Sequence, residues 1–259
     1  MVTTSASYRI VSADLTRSLS NTARQPQVAR ESKNYLATIE KIKSVDAFIK
    51  NDRVYRYAMK AFGLEDMIYA KAFMKKVLTE GVAKSDSFAN SLTDSRYREF
   101  AKVFDFAALG ESTTILDATR QGTVDRYVRQ TLEQQAGESN EGVRLALYFA
   151  RKAPEITSTL GILADKALLQ VVQTALNIPA EASAQDIDKQ AADLAKRINV
   201  ADFKDARKLD RFITRFTSMW ELNNSSSSPA NALVLGQPLE AGIGASLLAS
   251  LQNLKLGGN

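Results

Sequence analysis

The sequence contains no cysteine and no histidine. Without cysteine there is no disulfide, no thiolate metal site and no thiol nucleophile. The missing histidine excludes more: the commonest general base, the commonest metal ligand and the only side chain that titrates unperturbed near neutral pH. A Ser-His-Asp triad cannot be assembled, and a hard-cation site would have to be made from carboxylates alone. No window of about eighteen apolar residues exists, which rules out a spanning helix. The first stretch, MVTTSASYRIVSADLTRSLSNTARQ, has no apolar h-region and carries Arg9, Asp14 and Arg17, so no cleaved secretory signal is expected. Strand signals are scarce too; only NALVLGQPL, Asn231 to Leu239, suggests a short extended piece.

What is present is helical periodicity. The 259 residues are 45% hydrophobic, enough to bury a substantial core in one large domain or two small ones. From Val28 to Phe48 apolar residues recur at three- and four-residue steps, and a second helix follows from Asp52 to Phe62. Gly63 then supplies the left-handed position that commonly ends a helix, and Leu64 the apolar contact that accompanies such a cap. Glu65 and Asp66 are expected in the first turn of a helix that runs to Leu78 and stops at Gly81, so KAFGLEDMIYAKAF reads as a corner rather than a site. Ser85 to Leu92 is a short helix, and Asp94 caps SRYREFAKVFDFA. A long helix is expected from Ile115 to Ala136, a turn from Gly137 to Gly142, and a helix closed before Pro154. EITSTLGILADKALLQVVQTAL reads as a continuation kinked at Gly161. Ser183 and Asp186 have capping-box spacing ahead of QDIDKQAADLAKRI, and DARKLDRFITRFTSMW is the last strong helix.

These patterns predict an all-α, multi-helix bundle with a flexible basic arm at 1–27, helical modules at 28–110 and 111–222, and a Ser-rich linker with an apolar tail at 223–259. The two modules read as pseudo-repeats. LEDMIYAKAFMKKVL can be laid on LADKALLQVVQTAL with Leu64 on Leu163 and Asp66 on Asp165, and YREFAKVF on LDRFITRF with Phe100 on Phe212 and Phe104 on Phe216.

The net charge of +5 is unevenly placed: residues 1–50 hold eight Lys/Arg against four Asp/Glu, and residues 111–222 fifteen against sixteen. The surplus lies in the arm. Such a surplus can bind phosphate backbones, but at this density it reads as a solvated surface. Arg211 and Arg215, four apart beside Phe212 and Phe216, likewise read as the rim of a core helix rather than a nucleic-acid face. GIGASL, Gly242 to Leu247, lacks the third glycine of a dinucleotide fingerprint, and no phosphate loop occurs. The Asp186/Asp188 and Asp202/Asp205 pairs are explained by helix capping. Each candidate acid, amine or hydroxyl has a capping or surface explanation, so no catalytic, cofactor-binding or metal residue is assigned and no enzyme is expected. The candidate partner-docking residues lie at the chain ends: Arg9, Arg17 and Arg24 in the arm, and the Leu247, Leu248, Leu251 and Leu254 stripe in the tail.

AFGLED at 61–66, VVQTALNIP at 171–179, DIDKQAADL followed by VADFKDARKLDRFITRF, and the LLASLQNLKLGG ending resemble an alphaproteobacterial family known as domain of unknown function 1217. The family has no assigned catalytic activity, and its genes often lie among flagellar genes. The resemblance therefore implies a non-enzymatic protein of flagellar assembly or function, cytoplasmic or flagellum-associated, whose partners are basal-body, rod or export components. The alternative is a basic nucleic-acid-binding regulator.

Overall fold

The computed structural model describes residues 2–224, and residues 1–223 form one compact unit. The Leu247, Leu248, Leu251 and Leu254 stripe and the extended piece expected at 231–239 lie outside the described residues. No strand occurs among the described residues, and none of their helices is long and apolar enough to cross a membrane.

The helices are α1 (Thr4–Ala13), α2 (Leu15–Arg24), α3 (Pro26–Ile39), α4 (Val45–Lys50), α5 (Asp52–Ala61), α6 (Lys71–Glu80), α7 (Phe88–Ser91), α8 (Ser95–Val103), α9 (Phe106–Leu109) and α10 (Gln121–Ser139). They continue as α11 (Glu141–Lys152), α12 (Thr159–Leu163), α13 (Lys166–Leu176), α14 (Ile187–Arg197) and α15 (Ala206–Asn224). Buried apolar side chains gather in two clusters. The first draws on α3 to α10 and is aromatic: Phe48 packs on Phe104 at 4.8 Å between ring centres, and Tyr57 stacks between Tyr35 and Tyr127 at 4.4 and 3.9 Å. The second draws on α11 to α15 and centres on Phe149, Phe203, Phe212 and Phe216. Helix α10 serves both, contributing Val124, Tyr127 and Val128 to the first and Ala136 to the second.

The expected flexible arm is corrected: residues 4–24 are two helices, and they strap the clusters. Tyr8 and Val11 of α1 enter the second cluster, Leu19 and Ala23 of α2 pack on the first. Few apolar residues suffice because they fall on one side of each helix, and because polar bonds fasten the end. Thr4 gives its backbone N–H and its hydroxyl to Glu221 Oε2 on α15 at 2.8 and 2.5 Å, and receives the Asn140 amide at 2.9 Å. The Glu221 carboxylate thereby satisfies a helix-start N–H that water would otherwise have to reach.

Four other expectations change. The helix expected from Ile115 starts at Gln121, because threonine hydroxyls compete for backbone carbonyls before it. Thr119 Oγ1 donates to Thr113 O at 2.7 Å and Thr114 Oγ1 to Ile42 O at 2.8 Å. The turn expected over Gly137 to Gly142 is a break at Asn140 alone, which caps α11; both glycines are helical. Gly142 is there for close approach, since a Cβ would stand 2.4 Å from Trp220 Cδ1 and 2.8 Å from Thr4 Cγ2. The kink expected at Gly161 falls instead at Asp165, which caps α13 by accepting from Ala167 and Leu168 N–H. Asp66, laid on Asp165 in the repeat, sits in a 3-10 turn, Glu65–Met67, and α6 begins only at Lys71.

Gly142→Ala should force Trp220 and α1 outward and destabilise the fold by about 1–3 kcal/mol, the range for overpacking. Thermal unfolding, with a red-shifted emission from Trp220, the chain's single tryptophan, checks this. The hydrogen bonds from Thr4 also hold the Glu221 carboxyl below its usual value of 4.5. A depressed carboxylate contributes stability above its unfolded value and loses it as pH falls through the folded one. Trp220 emission should therefore be constant above pH 4.5 and change below it, and Glu221→Gln should remove that inflection.

Candidate functional site

The corner at Gly63 has the geometry its sequence demands. Gly63 adopts φ +68° and its N–H reaches Lys60 O at 2.9 Å, while Leu64 N–H reaches Met59 O at 2.8 Å, with Leu64 and Met59 both fully buried. The same corner is also the lip of a cleft. Ala61, Phe62, Gly63 and Asp66 line one side of a cavity of about 440 Å³. Thr93, Asp94, Arg96 and Glu99 come from the start of α8, Arg126, Gln130 and Glu133 from α10, and Arg144, Tyr148, Arg151 and Lys152 from α11. The break before α13, Ala164 to Ala167, closes the remaining wall. The cleft therefore lies where the two apolar clusters meet.

Its deepest charge is Glu133, whose side chain is 2% exposed. Oε1 accepts from Arg129 Nε and Arg151 Nε, and Oε2 from Arg151 Nη2, each at 2.8 Å. Arg129 also donates to Leu147 O at 3.1 Å, tying α10 to α11. Burial opposes the Arg151 charge, but the Glu133 hydrogen bonds and charge outweigh it and its pKa is raised. Asp94 caps α8 and holds Arg96 Nη2 at 2.7 Å, and Arg96 donates to Gly63 O, so the guanidinium clamps α8 to the corner. For Arg96 too, burial works against the charge and is outweighed by Asp94. Lys152 pairs with Glu99, joining α11 to α8. Arg144 is paired with Glu141. Tyr148 donates its hydroxyl to Asp165 Oδ2 at 2.5 Å; burial, then the Asp165 charge, pushes its pKa far up, so it stays a donor.

Four of the five lining acids are thus committed, three to cations and Asp165 to amides and Tyr148. The fifth, Asp66, acts on Arg96. Two lining cations differ. Arg126 lies with its guanidinium 4.9 Å over the Phe62 ring, and among the described residues neither it nor Lys166 is in an ion pair. Among the described residues no three acids are grouped to hold a metal ion. The arrangement can bind an ionic group.

Sequence reasoning placed Asp94, Gly63 and Leu64 correctly but did not single out Glu133, which the structure buries. The available signal was the i,i+4 spacing of Arg129 and Glu133 on a face shared with Leu132 and Val128, an ion pair set inside an apolar stripe. Nothing local relates Arg151, Lys152 or Lys166 to Arg126. Arg9, Arg17 and Arg24 are exposed on α1 and α2, and none lines the cleft. Glu133→Gln, which leaves two guanidinium groups short of a counter-charge, should cost about 3–5 kcal/mol in denaturant unfolding. Replacing the exposed Glu141 by Gln should change stability by less than about 1 kcal/mol.

Comparison with known proteins agrees with this fold. The X-ray crystal structure of protein AGR_C_984 from Agrobacterium tumefaciens is similar, with 52% sequence identity over 84% of this chain and 93% of that one, at a TM-score of 0.79. No curated protein matches the chain. The model of a family described as protein of unknown function (DUF1217) matches residues 61–209, a span that starts at the Gly63 corner and includes every residue lining the cleft. On that match, over more than half its length, and on its identity to the Agrobacterium protein, the chain belongs to the DUF1217 family.

Proposed function

We propose that this is a non-enzymatic interaction protein of bacterial flagellar assembly or function, cytoplasmic or flagellum-associated, that engages a basal-body, rod or export component through its chain ends. The observation that carries the reading is the Thr4 to Glu221 clasp, which joins the first helix to the last and brings the two described ends together. Val2 and Leu222, 62% and 72% exposed, flank that clasp in sequence, and Ile10 projects from α1 at 70%. Exposed apolar side chains near the paired ends of the described residues suit contact with another protein better than contact with water. The mutual pairing in the cleft supports binding over catalysis, since a general acid or base must be left available to exchange a proton. The flagellar assignment itself rests on the family resemblance.

A second reading, a nucleic-acid-binding regulator, is favoured by the exposure of Arg9, Arg17 and Arg24 along α1 and α2. It requires affinity that falls steeply with salt.

Deleting the gene should impair swimming, and the tagged full-length protein should co-purify with basal-body, rod or export components. Val2→Asp with Leu222→Asp should reduce that capture while leaving thermal unfolding unchanged. Normal motility with no flagellar partner would sink the proposal. Salt-sensitive DNA or RNA binding, abolished in an Arg9, Arg17, Arg24 triple alanine variant, would replace it with the second reading.

A further inference from the structure

The cleft beneath the Gly63 corner has a chemical preference that its internal pairing leaves behind. Asp94 is spent on Arg96, Glu99 on Lys152, Glu133 on Arg129 and Arg151, and Asp165 on the first amides of α13 and the Tyr148 hydroxyl. Subtracting these contacts leaves cationic and neutral donors: Arg126, Lys166 and the Gln130 amide, against Asp66, which lies in the field of Arg96. Arg126 and Gln130 are four apart on α10 and therefore share a face. The guanidinium lies over Phe62 and makes no hydrogen bond or ion pair among the described residues, so its N–H donors remain unspent. Lys166 stands at the opening of α13, on the wall formed by the break between α12 and α13.

We propose that this cleft is a binding site for a small organic anion, a molecule bearing a carboxylate or phosphate group, with Arg126 and Lys166 as its counter-charges and Gln130 as a neutral donor. The volume of about 440 Å³ lies within the range of small-molecule sites. The anchoring is firm. Arg96 and Lys152 tie α8 to the corner and to α11, and Glu133 fixes α10 against α11, so three of the walls that a ligand would touch are already held in place. The committed acids also act as a filter. A ligand carrying only positive charge meets Arg126 and Lys166, with Asp66 and Asp165 the lining acids that have no cation partner, whereas an anion meets a lining of six cations against five acids. Phosphate and carboxylate ligands share this chemistry and differ in the number and spread of acceptor oxygens, which a guanidinium fork reads in both.

This inference is separate from the docking of the chain ends, because Arg126, Gln130 and Lys166 are not among the residues invoked there. Titration calorimetry and thermal shift on the full-length protein at low salt, with inorganic pyrophosphate and citrate as probes, test it. Saturable binding of at least one probe is expected, weakened about tenfold or more in Arg126→Gln and in Lys166→Gln, the loss typical of one charge-assisted hydrogen bond. Arg17→Gln, an exposed arginine of α2, should bind as the parent does. Binding of pyrophosphate alone identifies a phosphate ligand, and of citrate alone a carboxylate ligand. Arg126 and Lys166 are exposed, so both variants should unfold at the parent temperature. The proposal is overturned if neither probe binds at millimolar concentration, or if the double variant binds as tightly as the parent.

Discussion

One carboxylate, Glu133, sits where the two apolar clusters meet, and the organisation around it follows from the cost of burying charge. An ionised carboxylate at 2% exposure is tolerable only if nearly every lone pair is engaged, and here Arg129 and Arg151 supply three N–H donors at 2.8 Å. The two arginines come from α10 and α11, so satisfying the acid fixes the packing of those helices. Helix α10 in turn packs on α5, α2 and α3, and α11 on α13 and α1. A side chain that contributes little net stability by itself thereby dictates the relative placement of most of the molecule. Its removal exposes the desolvation cost that the pairing had offset.

The same logic of close approach governs the two ends of the described residues. Helix α1 lies against α11 and reaches α15 because Gly142 has no side chain to hold Trp220 and Thr4 away. Once there, Thr4 finds in Glu221 an acceptor for both its amide and its hydroxyl. With Tyr8 in one cluster and Leu19 and Ala23 on the other, α1 and α2 span a seam that would otherwise be held by α10 and by ion pairs alone. A segment poor in apolar residues is thus ordered by a small number of well-placed contacts, which is why its composition suggested a free arm.

The charge pairs that order the protein also shape the cleft. Ion pairs between α8, α10 and α11 keep its walls apart at fixed positions, and they consume most of its acids. A cleft built by mutual neutralisation carries as its external signature only what is left over, here Arg126 and Lys166. With no cysteine in the chain, that remainder holds no thiol.

The sequence by itself determined the helical class and much of the local detail. Apolar spacing at three and four residues fixes which faces turn inward, and the ends at Gly63, Gly81 and Asp94 follow from backbone and capping chemistry that acts within a few residues. It could not determine where Ile115 to Arg120 leaves off being a connector, because that depends on Thr114 finding Ile42 O and Thr119 finding Tyr35, partners distant in sequence. Nor could it order residues 4–24, whose anchor Glu221 is 217 positions away. The cleft was legible only in its lip. Its character depends on a difference between charges that are cancelled across helices and charges that are not, and that subtraction exists only after α8, α10, α11 and α13 have been brought within a few ångströms of one another.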